Sequence, residues 1–179
     1  ELEARLARTL RTDGPVVLCQ AEAVTLLEAV ASSIAGRGHR VLNVATGPYG
    51  ALFGGWLRRG GADVRDLLVG PEGLSQADFA AALAGRDTVA LTQAEAASGT
   101  SLPLAGLLPI ARAAGVLTVV DTVAAIGAEP IAVDEWGIDV AVMGGQKALA
   151  GPAGVSAAAV SARAWDRIAV NPGAPRSST

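Results

Sequence analysis

The chain has 179 residues, a net charge of −3 and 51% apolar residues, with only six aromatics, so one domain with a substantial Ala/Val/Leu/Ile core is expected. That charge leaves no basic field for nucleic acid or an anionic membrane, and the single cysteine, Cys19, excludes a disulfide within the chain and fits a reducing cytoplasm. No uninterrupted apolar stretch reaches the roughly 18–20 residues that span a bilayer, the first residues carry no secretory pattern, and the high mean hydropathy reads as core plus a surface for a partner subunit.

In chain order, residues 1–12 read as a helix with Leu2, Leu6 and Leu10 on one side, ended by Asp13, Gly14 and Pro15. Residues 16–19 read as a buried strand and 21–35 as a helix. A strand over 40–45 leads through a tight Thr46–Gly50 loop into a helix reaching Gly60. A strand over 64–69 is followed by Ser75 as N-cap of a helix over 76–84. Strand 88–92, a polar loop through Ser101 and a helix over 104–114 precede an apolar run, 117–120, that ends on Asp121. A second such run, 139–143, leads through Gly144, Gly145 and Gln146 to Lys147, and a strand over 155–160 and a helix over 162–168 follow. Strands and helices alternate throughout, so the expected fold class is α/β, three-layered, with a mainly parallel central sheet.

Lys147 is the only lysine, against thirteen arginines. Two buried parallel strands would deliver Asp121 and Lys147 at their carboxyl ends, where open α/β sheets bind ligands. An acid and an amine facing one crevice suit a pyridoxal-type ring: the amine condenses with the aldehyde, and the acid keeps the ring nitrogen protonated. Taken singly, a strand-end acid capping a turn and a solvated lysine would read the same way.

The segments DTVAAIG, DEWGIDVAV, GGQKAL and GPAG resemble the class V aminotransferases, as does the spacing of 26 residues from Asp121 to Lys147. The resemblance implies the large domain of the fold-type I aminotransferases over 1–170, with 171–179 (NPGAPRSST) beginning a linker to a smaller C-terminal domain absent from this sequence. It implies a homodimer, Lys147 and Asp121 as catalytic residues, and Tyr49 stacked on the ring. It also implies Val123 against the opposite ring face and Gln146 toward the cofactor's phosphate side; no metal is called for. Loop packing accounts for Tyr49, and core packing for Val123, equally well. Glu95 lies at the family's acidic position, although a surface-loop acid is the stronger reading. The family commonly has Ser or Thr at the place of Ala96, a hydroxyl residue at Met143, and histidine in the region of Gln93 and Ala94.

The sharpest departure follows the first strand. Members that bind pyridoxal 5′-phosphate carry a Gly-Ser-Gly-Thr-like turn opening a helix, whose N–H groups hold the phosphate. Here the aligned residues are Ala21, Glu22, Ala23 and Val24. A carboxylate about 4 Å from a phosphate costs roughly 4 kcal/mol at an effective dielectric near 20. A glutamate at a helix start is otherwise ordinary, since the helix dipole favours it. One branch of the family has this glutamate and takes the unphosphorylated vitamin as substrate. EAVTLLEA, GPYG, ASGT and NPGAPR resemble its pattern. The implied reaction moves an amino group from pyridoxamine to pyruvate, a 2-oxo acid, giving pyridoxal and L-alanine. On that reading no cofactor is tightly bound, and Glu22 accepts the 5′-hydroxyl. The alternatives are a conventional pyridoxal-5′-phosphate enzyme and a non-catalytic paralogue. An NAD-type oxidoreductase is weaker, because no G-x-G-x-x-G follows the first strand.

Overall fold

The computed structural model describes residues 1–174. Its elements run α1 (Leu2–Leu10), β1 (Val16–Cys19), α2 (Ala23–Ile34), β2 (Arg40–Ala45), α3 (Pro48–Arg59), β3 (Asp63–Leu68) and α4 (Gln76–Leu83). They continue with β4 (Thr88–Thr92), α5 (Leu104–Ala113), β5 (Leu117–Asp121), α6 (Val133–Trp136), β6 (Val140–Gly144), β7 (Ser156–Val160) and α7 (Ala162–Val170). The strands form one sheet in the order β1-β7-β6-β5-β4-β2-β3. All pairs are parallel except those of β7, which runs against both β6 and β1. The expected three-layer α/β fold with a mainly parallel sheet is what forms. Among the described residues, no helix is long and apolar enough to cross a membrane.

The central strands are apolar on both faces because both faces are covered. Val89, Leu91, Val120 and Ala141 pack with Phe79 of α4 and Leu104, Leu107 and Leu108 of α5. The alternate residues Ala90, Val119, Val140 and Val142 pack with Leu27 and Ile34 of α2 and Phe53 and Trp56 of α3. Asp121 continues the parity of Leu117 and Val119, so it emerges on the α2/α3 side. Burying each such large side chain contributes about 1.5–3 kcal/mol.

Asp139, 5% exposed, fixes where β6 begins. Its carboxylate accepts the Thr118 N–H at 2.9 Å and the Ser161 hydroxyl at 2.8 Å, joining β5, β6 and the cap of α7. Two expectations change. β1 is not a buried strand: it pairs only with β7, at the sheet edge, leaving Val17 and Leu18 39% and 37% exposed. Met143 is turned away from the α2/α3 side into the opposite core, near Leu2 and Leu6 of α1, so its lack of a hydroxyl concerns packing. Of the expected linker, Asn171 and Ala174 are buried, and Asn171 caps the end of α2. Residues 175–179 lie outside the described residues.

Candidate active site

The loops that follow β1, β2, β4, β5 and β6 open at one end of the sheet, the carboxyl end of every parallel strand. They enclose a cavity of about 200 Å³ that is open on one side. Glu22, Tyr49, Asp121, Val123, Gln146 and Lys147 all line it. Leu27, Ala94 and Ala124 supply apolar wall, and Thr92 and Ala96 stand on the β4 side.

Asp121 ends β5, opposite Thr92 of β4 in parallel register. Its carboxylate accepts the Val123 N–H at 2.9 Å, which fixes its orientation. Burial pushes its carboxyl from the ordinary 3.8 up to about 6; the Val123 N–H works against this, Glu95 adds to it, and Lys147 pulls it back down. Lys147 is exposed and makes no ion pair or hydrogen bond through its amine among the described residues. An amine free at the rim and a carboxylate at the floor can act on one ring held between them.

Glu22 is the N-cap residue of α2, but its side chain does not cap the helix. The carboxylate turns into the cavity, accepting from Gln146 Nε2 at 2.9 Å and from the Gly154 N–H at 3.0 Å. The Ala23 and Val24 N–H groups are left without partners among the described residues. Gly144 lies beneath this cluster: a Cβ there would stand 2.6 Å from Gln146 Oε1, 3.2 Å from Val123 Cγ1 and 3.3 Å from Ala23 Cβ. The site therefore closes around bare backbone.

Glu95 is not the surface-loop acid its setting suggested. It is 1% exposed, and its carboxylate accepts N–H groups at the start of α3. The signal that could have found it is its place just beyond the end of β4, among the same strand ends that drew attention to Asp121 and Lys147. Gln93 turns away from the cavity, donating to the Pro130 carbonyl at 3.0 Å. Ala94 and Ala96 do line the cavity, so the missing hydroxyl at Ala96 is a real feature of its wall.

One parallel strand ending on an acid, a second leading through a short loop to a lysine, and a cavity lined by both are the arrangement of an aminotransferase. The family model for class V aminotransferases matches residues 24–174, and the chain belongs to that family. It is 30% identical over 177 residues to the pyridoxamine–pyruvate transaminase of Mesorhizobium japonicum, covering 96% of this chain and 44% of that protein. The crystal structure of pyridoxamine–pyruvate aminotransferase from Mesorhizobium loti superposes with a TM-score of 0.92 at 28% identity, over 98% of this chain and 46% of that one. Alanine–glyoxylate aminotransferase from Nostoc sp. gives 0.90 at 29% identity, over 96% and 46%. The sheet is thus that of the large domain of fold-type I aminotransferases, and the chain spans under half the length of these relatives.

Class V aminotransferases are generally dependent on pyridoxal 5′-phosphate, so the cavity must be tested against both halves of that molecule. The ring half fits the lining: Asp121 and Lys147 supply an acid and an amine that would take its nitrogen and aldehyde, with Leu27, Val123 and Ala124 as apolar wall. The phosphate half does not fit, because the Glu22 carboxylate, held by Gln146 and the Gly154 N–H, stands at the head of α2 where an anion would bind.

Proposed function

We propose that this chain forms the ring-binding part of a transaminase that moves the amino group of pyridoxamine to pyruvate, yielding pyridoxal and L-alanine. The observation that carries the reading is the Glu22 carboxylate, held by Gln146 and Gly154 at the head of α2. A hydroxymethyl group is welcome there and a phosphate dianion is not. Amine and carbonyl oxygen change places between the two substrates, so no outside oxidant or reductant is needed.

Bound pyridoxal supplies an electron-withdrawing ring that stabilises negative charge at the carbon losing its proton. The chain does the rest. The Lys147 amine is the nucleophile toward the aldehyde; once free again, it moves the proton between the ring's C4′ and the amino acid's Cα. Asp121, oriented by the Val123 N–H, accepts the ring N–H and keeps that nitrogen charged. Tyr49 covers one ring face and Val123 the other; stacking contributes about 0.5–1.5 kcal/mol beyond burial. Glu22 accepts the 5′-hydroxyl proton, and the free N–H groups of Ala23 and Val24 donate to its oxygen. The active unit is a homodimer, which light scattering on the full-length protein checks directly.

A second reading, a conventional pyridoxal-5′-phosphate enzyme, is favoured by one observation: the unpartnered N–H groups that open α2. Titration with pyridoxal and with its phosphate separates the two. We expect the unphosphorylated form to bind more tightly, and Glu22→Gly to strengthen phosphate binding by about 1–4 kcal/mol, roughly five- to a thousandfold. Tight binding of the phosphate by the wild type, with the Glu22 variant no tighter, would establish the second reading. Weak binding of both forms by both proteins would mark a non-catalytic member of the family.

A further inference from the structure

Glu95 lies in the loop that leaves β4, 1% exposed, and both its oxygens are engaged by backbone. Oε2 accepts from the Tyr49 N–H at 3.0 Å and the Gly50 N–H at 3.3 Å; Oε1 accepts from the Ala97 N–H at 3.2 Å. Tyr49 and Gly50 belong to the first turn of α3, whose N-cap residue, Gly47, has no side chain to offer. Glu95 thus caps the helix from 45 to 46 residues away. Gly47 makes room for it, since a Cβ there would stand 2.5 Å from Glu95 Cγ.

A serine or aspartate at position 47 would cap α3 without burying a distant acid. The imported carboxylate does what a local cap cannot. It ties the backbone of Tyr49 to the loop carrying Ala94 and Ala96, and all three residues line the cavity.

We propose that Glu95 is a positioning residue of the ring site, holding Tyr49 in register with the wall formed by Ala94 and Ala96 and placing a buried carboxylate two residues beyond Gln93, whose N–H donates to the Asp121 carbonyl at 2.9 Å. The proposal rests on the ring-binding reading above. Lys147 from the loop after β6, Glu22 at the head of α2 and Tyr49 on α3 line the same cavity as Asp121, and Glu95 lies in the loop after β4. Of these, Glu95 pushes the Asp121 carboxyl up and Lys147 pulls it down. The Asp121 carboxylate in the cavity favours a cation, which the protonated pyridine nitrogen would supply, and the Glu95 carboxylate behind the wall adds to that preference. Glu95 therefore acts through Asp121 and Tyr49 without touching the ring.

The test uses Glu95→Gln, which keeps the shape and an acceptor but removes the charge, and Glu95→Ala, which removes both. In the ligand-free, full-length protein, carbon NMR of the Asp121 carboxyl should show its midpoint moving from about 6 toward 3.8 in the Gln variant. Pyridoxal affinity should fall about tenfold in Glu95→Ala, recover most of that loss in Glu95→Gln, and fall no more than about twofold when Glu95→Ala is added to Tyr49→Ala. An unmoved Asp121 midpoint together with additive losses would overturn the proposal and leave Glu95 a plain helix cap. If Glu95→Ala does not fold, the Gln variant and Gly47→Ala, which displaces the Glu95 side chain, decide by the same measurements. A wild type that binds no pyridoxal defeats the functional reading instead. The Asp121 midpoint and amide exchange at Tyr49 and Gly50 then still decide on Glu95.

Discussion

The Val123 N–H donates to Oδ1 of Asp121 at 2.9 Å, the one hydrogen bond that carboxylate makes among the described residues. A buried carboxylate with a single donor is ready for a cation but weakens the ligand-free fold. Its carboxyl lies near 6 when folded, above the ordinary 3.8. The folded state therefore holds the proton more tightly, and the stability this gives is present below about 3.8 and lost as pH rises through about 6. Asp121→Asn keeps an acceptor for Val123 and removes the charge. It should stabilise the ligand-free protein by about 2–3 kcal/mol at pH near 8, by almost nothing at pH near 4, and abolish ring binding. Urea unfolding at both values reads this, and an equal gain at both would contradict it.

Lys147→Ala should eliminate both the transfer reaction and the mass increment that borohydride reduction fixes on the protein in the presence of pyridoxal. No other lysine exists in these 179 residues. Because the side chain is exposed and unpaired, stability should change by no more than about 0.5 kcal/mol. A trapped adduct of undiminished yield would assign the reactive amine elsewhere.

Gln146→Leu separates charge from hydrogen bonding at Glu22. The variant removes the 2.9 Å donor but leaves the carboxylate and its bond from Gly154. Pyridoxal binding should weaken about tenfold, the scale of a hydrogen bond to a charged group, while phosphate remains disfavoured. If phosphate binding instead rose as it does in Glu22→Gly, the orientation of the carboxylate, and not its charge, would govern selectivity.

Asn171→Ala tests the end of the described chain. The Asn171 amide donates to the Ser33 and Ala35 carbonyls at 2.7 and 2.8 Å, and its oxygen accepts the Gly173 N–H at 3.1 Å. The residue is 2% exposed, so truncation leaves helix-end carbonyls buried without partners. A loss of about 2–3 kcal/mol is expected from denaturant unfolding. A loss under about 0.5 kcal/mol would mean that water replaces the cap.

The residues that ended strands could be read from the chain because a short apolar run stopping at a charge is a local pattern. Asp121 was visible for that reason, Lys147 because it is the only lysine and follows a second such run through a short loop, and Arg40–Ala45 and Thr88–Thr92 were legible as strands. Direction and depth were harder to read. Ser156–Val160 has the same composition whichever way it runs, and only the absence of a helix between it and β6 indicates an antiparallel return. Val17 and Leu18 look buried because they are apolar, yet the edge leaves them partly exposed. Glu95 sits among Ala, Ser, Gly and Thr, a setting that reads alike whether its side chain turns in or out. The deciding fact, the bare N-terminus of α3, lies 46 residues earlier.

The antiparallel return of β7 brings the start of α2 beside the loop after β6, so Glu22 is joined to residues 124 and 132 positions later. Closing so long a stretch of chain is slow compared with the local pairing of β4, β5 and β6. On the proposed reading, Asp121 and Lys147 should therefore come together before Glu22 reaches its place. Selectivity against phosphate would then be acquired late in folding, and variants that loosen the β1–β7 edge should become less discriminating before they lose the sheet.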